Sequence, residues 1–130
     1  LTRRLWLGGR DATASAAASL GLAELRAYDG AHEAALRLYR DAFERDPSLA
    51  GRHGFEAAQA ALAAGAGLQA CAWMRDALEA LRAQAAAHPS HVASVLRRWK
   101  GGVTVDGAED AWRALWADVD ALLADAARGR

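Results

Sequence analysis

The run Ala111-Trp112-Arg113-Ala114-Leu115-Trp116-Ala117-Asp118-Val119-Asp120-Ala121-Leu122-Leu123 constrains this chain more than any other. Trp112, Leu115, Trp116, Val119, Leu122 and Leu123 recur at helical spacing, so one stripe of a helix carries two indoles and four aliphatic side chains. Arg113, Asp118 and Asp120 fall off the centre of that stripe. Indoles this close together in an alanine-rich chain require a partner surface to bury them. The remaining sequence reads as a set of short helices that supplies it.

A chain of 130 residues is enough for one domain with a modest core. Its formal net charge is zero and Lys100 is its sole lysine, which argues against binding nucleic acid, since that needs a basic excess or a basic face. Cys71 stands alone, so neither a disulfide framework nor a thiolate metal cluster is expected; among alanines at helical spacing it reads as a small buried side chain. No apolar run approaches the roughly 18–20 residues of a membrane span. The opening Leu1-Thr2-Arg3-Arg4-Leu5-Trp6-Leu7 is too short in its apolar part for a signal peptide. A cytoplasmic location is therefore expected, and the start on Leu1 suggests a fragment of a longer polypeptide.

Gly8-Gly9 is expected to end the opening segment, with Asp11 capping a helix that runs to about Tyr28 on the apolar positions Leu20, Leu22 and Leu25. Asp29-Gly30 stops it, glycine supplying the left-handed residue that closes a helix. A second helix, about Ala31 to Arg45, has Ala35, Leu38, Tyr39, Ala42 and Phe43 on its inner stripe and ends at Asp46-Pro47. The third is expected from Gly51 or His53 to Ala64 with Phe55, Ala58 and Leu62 inward, broken by Gly65-Ala66-Gly67. A fourth spans about Leu68 to Ala87, with Leu68, Ala72, Trp73 or Met74, Leu78 and Leu81 keeping the period. Pro89 opens a fifth, His91 to Lys100, with Val92, Val95, Leu96 and Trp99 inward. Gly101 to Gly107 is read as a loop, and the final helix starts near Ala108 and frays at Arg128.

This layout of helix, Gly turn, helix and Pro resembles the hairpin of a tetratricopeptide repeat. Gly30, Ala35, Tyr39, Ala42 and Pro47 match that repeat's small and aromatic positions, and Leu22-Ala23 stands where it has its Leu-Gly pair. Ser19 and Arg26 depart from it, replacing the usual Trp and Tyr. The physical logic is that Ala23, Ala35 and Ala42 let helices approach closely while Tyr39 and Phe43 fill the gap to the next hairpin.

The second half carries a further resemblance. Trp73-Met74-Arg75, Val95-Leu96-Arg97-Arg98-Trp99 and the closing helix follow one another as in the C-terminal region of the large bacterial serine/threonine protein kinases, plentiful in planctomycetes, that bear such repeats. The likeness covers roughly Leu20 to Leu123. Phe55-Glu56-Ala57-Ala58-Gln59 lacks the family's Asn and Cys, and the loop before the last helix is shorter. The resemblance implies kinase activity for the intact protein alone: no Gly-rich loop, Val-Ala-Ile-Lys, His-Arg-Asp or Asp-Phe-Gly motif occurs in these residues.

Other chemistry-bearing residues read as structural. His88 and His91 lack further ligands for a metal, His32 begins a helix, and His53 has no evident Ser or Cys partner. Asp118 and Asp120 are two apart and point in different directions, so they are not a paired-carboxylate device. Glu109 and Asp110 suit the positive end of a helix dipole. In Arg97-Arg98-Trp99-Lys100, a buried Trp beneath a solvated basic edge is favoured over a phosphate patch. Gly65-Ala66-Gly67 and Gly101-Gly102 follow no strand and make no nucleotide loop.

The expected fold is all-α: antiparallel helical hairpins closed by a Trp-rich C-terminal helix pair. Residues 11–47 form the recognisable repeat, 51–87 a degenerate hairpin and 89–128 the capping helices. The expected function is a non-enzymatic, cofactor-free and metal-free interaction module for a protein or peptide partner, or for self-association, with Glu24, Arg26, Glu56 and Gln59 lining its groove. The alternative is a purely structural cap of a longer repeat scaffold, with no ligand.

Overall fold

The computed structural model describes the backbone of residues 2–102 and 109–128, with side chains from residue 14 onward. Among the described residues six α-helices follow one another: α1 (Thr2–Tyr28), α2 (His32–Arg45), α3 (Ser48–Ala63), α4 (Gly67–Gln84), α5 (Pro89–Gly102) and α6 (Glu109–Arg128). No strand occurs among the described residues, and the fold is all-α. α1 packs on α2 and α3 on α4 as two hairpins; α2 meets α3 between them, while α5 and α6 pack on each other and on α4.

Both hairpin turns are built identically. Gly30 and Gly65 have φ of 83° and 82°. At the first turn Gly30 N–H donates to the Ala27 carbonyl at 3.1 Å and Ala31 N–H to the Arg26 carbonyl at 2.8 Å; at the second Gly65 donates to Leu62 at 3.1 Å and Ala66 to Ala61 at 2.8 Å. This is the pair of bonds that satisfies a helix's last carbonyls when a left-handed residue follows it. The two hairpins therefore share one turn geometry, although the second contains neither the tyrosine nor the proline of the first.

Several boundaries differ from expectation. Gly8-Gly9 does not interrupt the first helix, which runs unbroken from Thr2. Glycine weakens a helix by about 1 kcal/mol without blocking it as proline does, so the alanine-rich continuation carries it through. Helix α3 begins at Ser48, ahead of Gly51, because the Asp46 carboxylate accepts from Ser48 N–H at 3.2 Å and from its hydroxyl at 2.7 Å. Pro47 thus ends one helix and opens the next. Helix α4 stops at Gln84, short of Ala87, and α5 takes in Gly101 and Gly102. The rest of the expected loop, 103–107, lies outside the described residues.

The core is layered by side-chain size. Between α3 and α4 it is mainly small: Ala50, Gly54, Ala57, Ala58 and Ala61 are buried on α3, and Ala70 and Ala77 on α4. A Cβ added to Gly54 would stand 2.3 Å from the Trp73 carbonyl oxygen, so the two backbones touch there. Phe55 and Leu62, expected inward, are only half-buried because this small-residue stripe takes the inside. Large side chains collect between hairpins instead. Trp73 meets Phe43 edge-on with centroids 5.3 Å apart and Tyr39 at 6.3 Å.

At the carboxyl end Trp112, Leu115, Val119 and Leu122 of α6 are buried in the same core as Val92, Leu96 and Trp99 of α5, with Trp116 and Leu123 packed at its margin. Arg75–Asp118 at 2.8 Å and Lys100–Asp120 at 2.5 Å pin α6 to α4 and to α5. Both pairs are about half exposed, so each contributes at most about 1 kcal/mol. Three expected core leucines face outward: Leu22, Leu25 and Leu68 are 46%, 50% and 70% exposed. Ala72 is exposed as well. On α1 the inward positions are Ala16, Leu20 and Ala23. Ser19, which stands where a repeat would carry Trp, donates to Asp41 at 2.6 Å, and Arg45 bonds the same carboxylate at 3.0 Å. The Ser19 hydroxyl and then the Arg45 guanidinium hold that carboxyl below its usual pKa.

Candidate functional site: a charged groove across four helices

Joining the hairpins leaves a concave face. Glu24 and Ala27 of α1, Tyr39 of α2, His53, Phe55, Glu56 and Gln59 of α3 and Arg98 of α5 surround one groove of about 570 Å³. Phe55 stacks on Trp99 with centroids 5.6 Å apart and rings 6° from parallel, which brings α5 beside α3. A second cleft of about 350 Å³ continues between α3, α4 and α5, sharing Phe55, Glu56 and Arg98 and adding Arg52 and His91. The face is thus acidic toward α1 and basic toward α5.

Helical spacing explains which residues reach it. Glu56 and Gln59 are three apart and so share one side of α3. On α1, Glu24 and Ala27 do the same. Arg26, chosen with them from the sequence, lies outside the groove: two positions from Glu24 it points to nearly the opposite side, where it pairs with Asp29 at 3.8 Å. Of the expected groove residues, then, Glu24, Glu56 and Gln59 come together and Arg26 does not.

The charged groups of the groove are uncommitted. Every ion pair of the described residues lies elsewhere, so Glu24, Glu56 and Arg98 have no oppositely charged partner within them. Tyr39 forms the floor, with only 1% of its surface exposed. Burial first, and then the Glu24 and Glu56 carboxylates, push its phenol up to about 12. Stability from the protonated phenol is accordingly complete below pH ~10, the unfolded value, and lost as pH rises toward the folded one. In a Tyr28→Phe background, which leaves Tyr39 as the sole tyrosine, tyrosinate absorbance should rise with a midpoint near 12. A midpoint at about 10 would show a phenol free of both carboxylates and of burial.

Of the other chemistry-bearing residues, His53 lines the same groove. His91 lines the adjoining cleft, while the His88 carbonyl accepts from Val92 N–H at 3.1 Å. Cys71 is buried, and burial raises its thiol pKa. Among the described residues no group of three His, Cys, Asp or Glu side chains is placed to hold a metal, and no helix is long and apolar enough to cross a membrane. Tyr39, Phe55, His53 and Arg98 were not expected in the groove. The first two read as core residues, and Arg98 as the solvated edge over Trp99; only the Phe55–Trp99 stack reveals that this edge borders the concave face.

Comparison with protein-family models, with curated proteins and with solved structures returns no match. The class that fold and groove define is that of an all-α protein of helical hairpins with a polar concave face.

Proposed function

We propose that this chain is a non-catalytic interaction module of the tetratricopeptide-repeat kind, and that the groove over Tyr39 is its partner-binding face. The observation that carries the reading is the convergence of Glu24, Glu56, Gln59 and Arg98, from three separate helices, on one concavity where the charges of Glu24, Glu56 and Arg98 are spent on no ion pair among the described residues. Polar side chains left free on a rigid concave scaffold give a peptide both shape and hydrogen-bond partners. A balanced charge and an acidic end favour a protein or peptide over nucleic acid. The motif resemblance read from the sequence supports the reading of the module as the C-terminal region of a cytoplasmic bacterial serine/threonine kinase. There it would select substrates or regulators, or join copies of the enzyme, and phosphotransfer would belong to a separate kinase domain.

A photo-crosslinking residue at Gln59, in the groove, should give a discrete adduct in the producing cell, whereas one at Glu44, exposed on α2, should not. Charge reversal by Glu24→Lys and Glu56→Lys should abolish the adduct with helicity unchanged. Equal labelling from both positions, or an adduct indifferent to the reversal, would leave the second reading, a structural cap. What favours that alternative is α6, whose buried Trp112, Leu115, Val119 and Leu122 close one end of the helical stack.

A further inference from the structure

We propose that the groove receives a basic side chain, arginine or lysine, of a partner peptide, held by Glu24 and Glu56 beside the Tyr39 hydroxyl. This rests on the reading of the chain as an interaction module and names what the module recognises. Glu24 arrives on α1 and Glu56 on α3, so two independent elements deliver like charges to one concavity. Neither carboxylate is tied by an ion pair or a side-chain hydrogen bond among the described residues. Elsewhere in the fold Asp41, Asp118 and Asp120 each have a basic partner within 3.0 Å.

The second observation is Tyr39. Its side chain is almost wholly buried, lines the same groove, and has no hydrogen-bond partner among the described residues. Its hydroxyl is not among the buried polar atoms left without a partner, so this oxygen opens onto the groove, where a donor from outside can reach it. Glu24, Tyr39 and Glu56 line the one groove, close enough for both carboxylates to raise the phenol's pKa. Their oxygens supply many acceptor sites and no charged donor, the complement of a guanidinium or ammonium group. Ala27 and Phe55 add apolar wall along which the aliphatic stem of Arg or Lys can lie. A divalent cation fits less well, since calcium takes about 6–8 oxygen ligands and magnesium demands a near-ideal octahedron. Arg98, across the groove, would repel a second basic residue on its side and so fix the peptide's direction.

The test uses the full chain and terminally blocked peptides of Ala, Gly and Ser that differ only at a central arginine, citrulline or aspartate. Binding is followed by amide NMR shifts at Glu24, Tyr39 and Glu56. The arginine peptide should bind saturably with shifts confined to the groove. Citrulline, the neutral isostere, should bind roughly tenfold more weakly. Glu24→Gln/Glu56→Gln, with helicity retained, should erase that preference. Citrulline or aspartate binding as tightly as arginine, or the preference surviving in the double variant, would overturn the basic-residue proposal and leave the interaction module standing. Groove amides that respond to none of the three peptides would overturn the basic-residue proposal as well, and charge-sensitive crosslinking from Gln59 would show whether the module itself survives.

Discussion

Replacing Trp73 with alanine is expected to destabilise the protein by about 4 kcal/mol, the cost of emptying a large aromatic site that cannot fully collapse. Trp73 is 5% exposed and is the ring through which α4 reaches the first hairpin, edge-on to Phe43 and tilted against Tyr39. No comparable side chain stands ready to take its place, because the α3–α4 contact beside it is made of alanine and glycine. Against a total stability on the order of 5–15 kcal/mol, the loss would remove about a quarter to four-fifths of the whole. Urea denaturation reads it directly. A loss under about 1 kcal/mol would mean that the two hairpins are not held together at this ring.

The second large effect comes from one methyl group. Gly54→Ala would set a Cβ 2.3 Å from the Trp73 carbonyl oxygen and 3.1 Å from the Ala77 methyl. The oxygen is backbone and cannot swing aside, so α3 and α4 must part along their whole contact. The expected cost is about 3 kcal/mol, at the upper end for overpacking, and a fall in melting temperature on the order of 10 °C. Gly101→Ala is the control: a methyl there meets nothing within 4 Å, and higher helix propensity should leave stability unchanged or raised by up to about 1 kcal/mol. The same chemical change should therefore carry opposite signs at the two positions. If Gly54→Ala proved as mild as Gly101→Ala, the close crossing of α3 and α4 would be wrong. Because Gly54 abuts Trp73, its effect should not add simply to that of Trp73→Ala.

Much of the helix inventory was legible in the chain, for local reasons. Gly30 and Gly65 mark turns that need a left-handed residue, Pro47 and Pro89 sit at helix starts, and the spacing of Trp112, Leu115, Val119 and Leu122 identifies the buried stripe of α6. Periodicity failed where alanine and leucine compete for the inside. On α1 and α4, Leu22, Leu25 and Leu68 carry the stronger hydrophobic signal, yet the neighbouring helix lies so close that alanine takes the inner place. The groove was half legible: charge and spacing pointed to Glu24, Glu56 and Gln59, whereas Arg26 turns away within the same helix and Arg98 arrives from a helix distant in sequence.

Short-range chemistry, namely propensity, turn glycines and the period of the apolar residues, was enough to dictate an all-α fold that buries Trp73, Trp99 and Trp112 and leaves Trp116 at the core's margin. Tertiary packing alone decided that α3 and α4 touch backbone to backbone at Gly54, and that Trp73 rather than the terminal indoles joins the hairpins. It also decided that Glu24, Tyr39, Glu56 and Arg98 face a common space. The physical reason is that a helix sets only which residues share its own side. Which sides meet depends on how closely axes approach, and that distance is the outcome of every small side chain between them acting together.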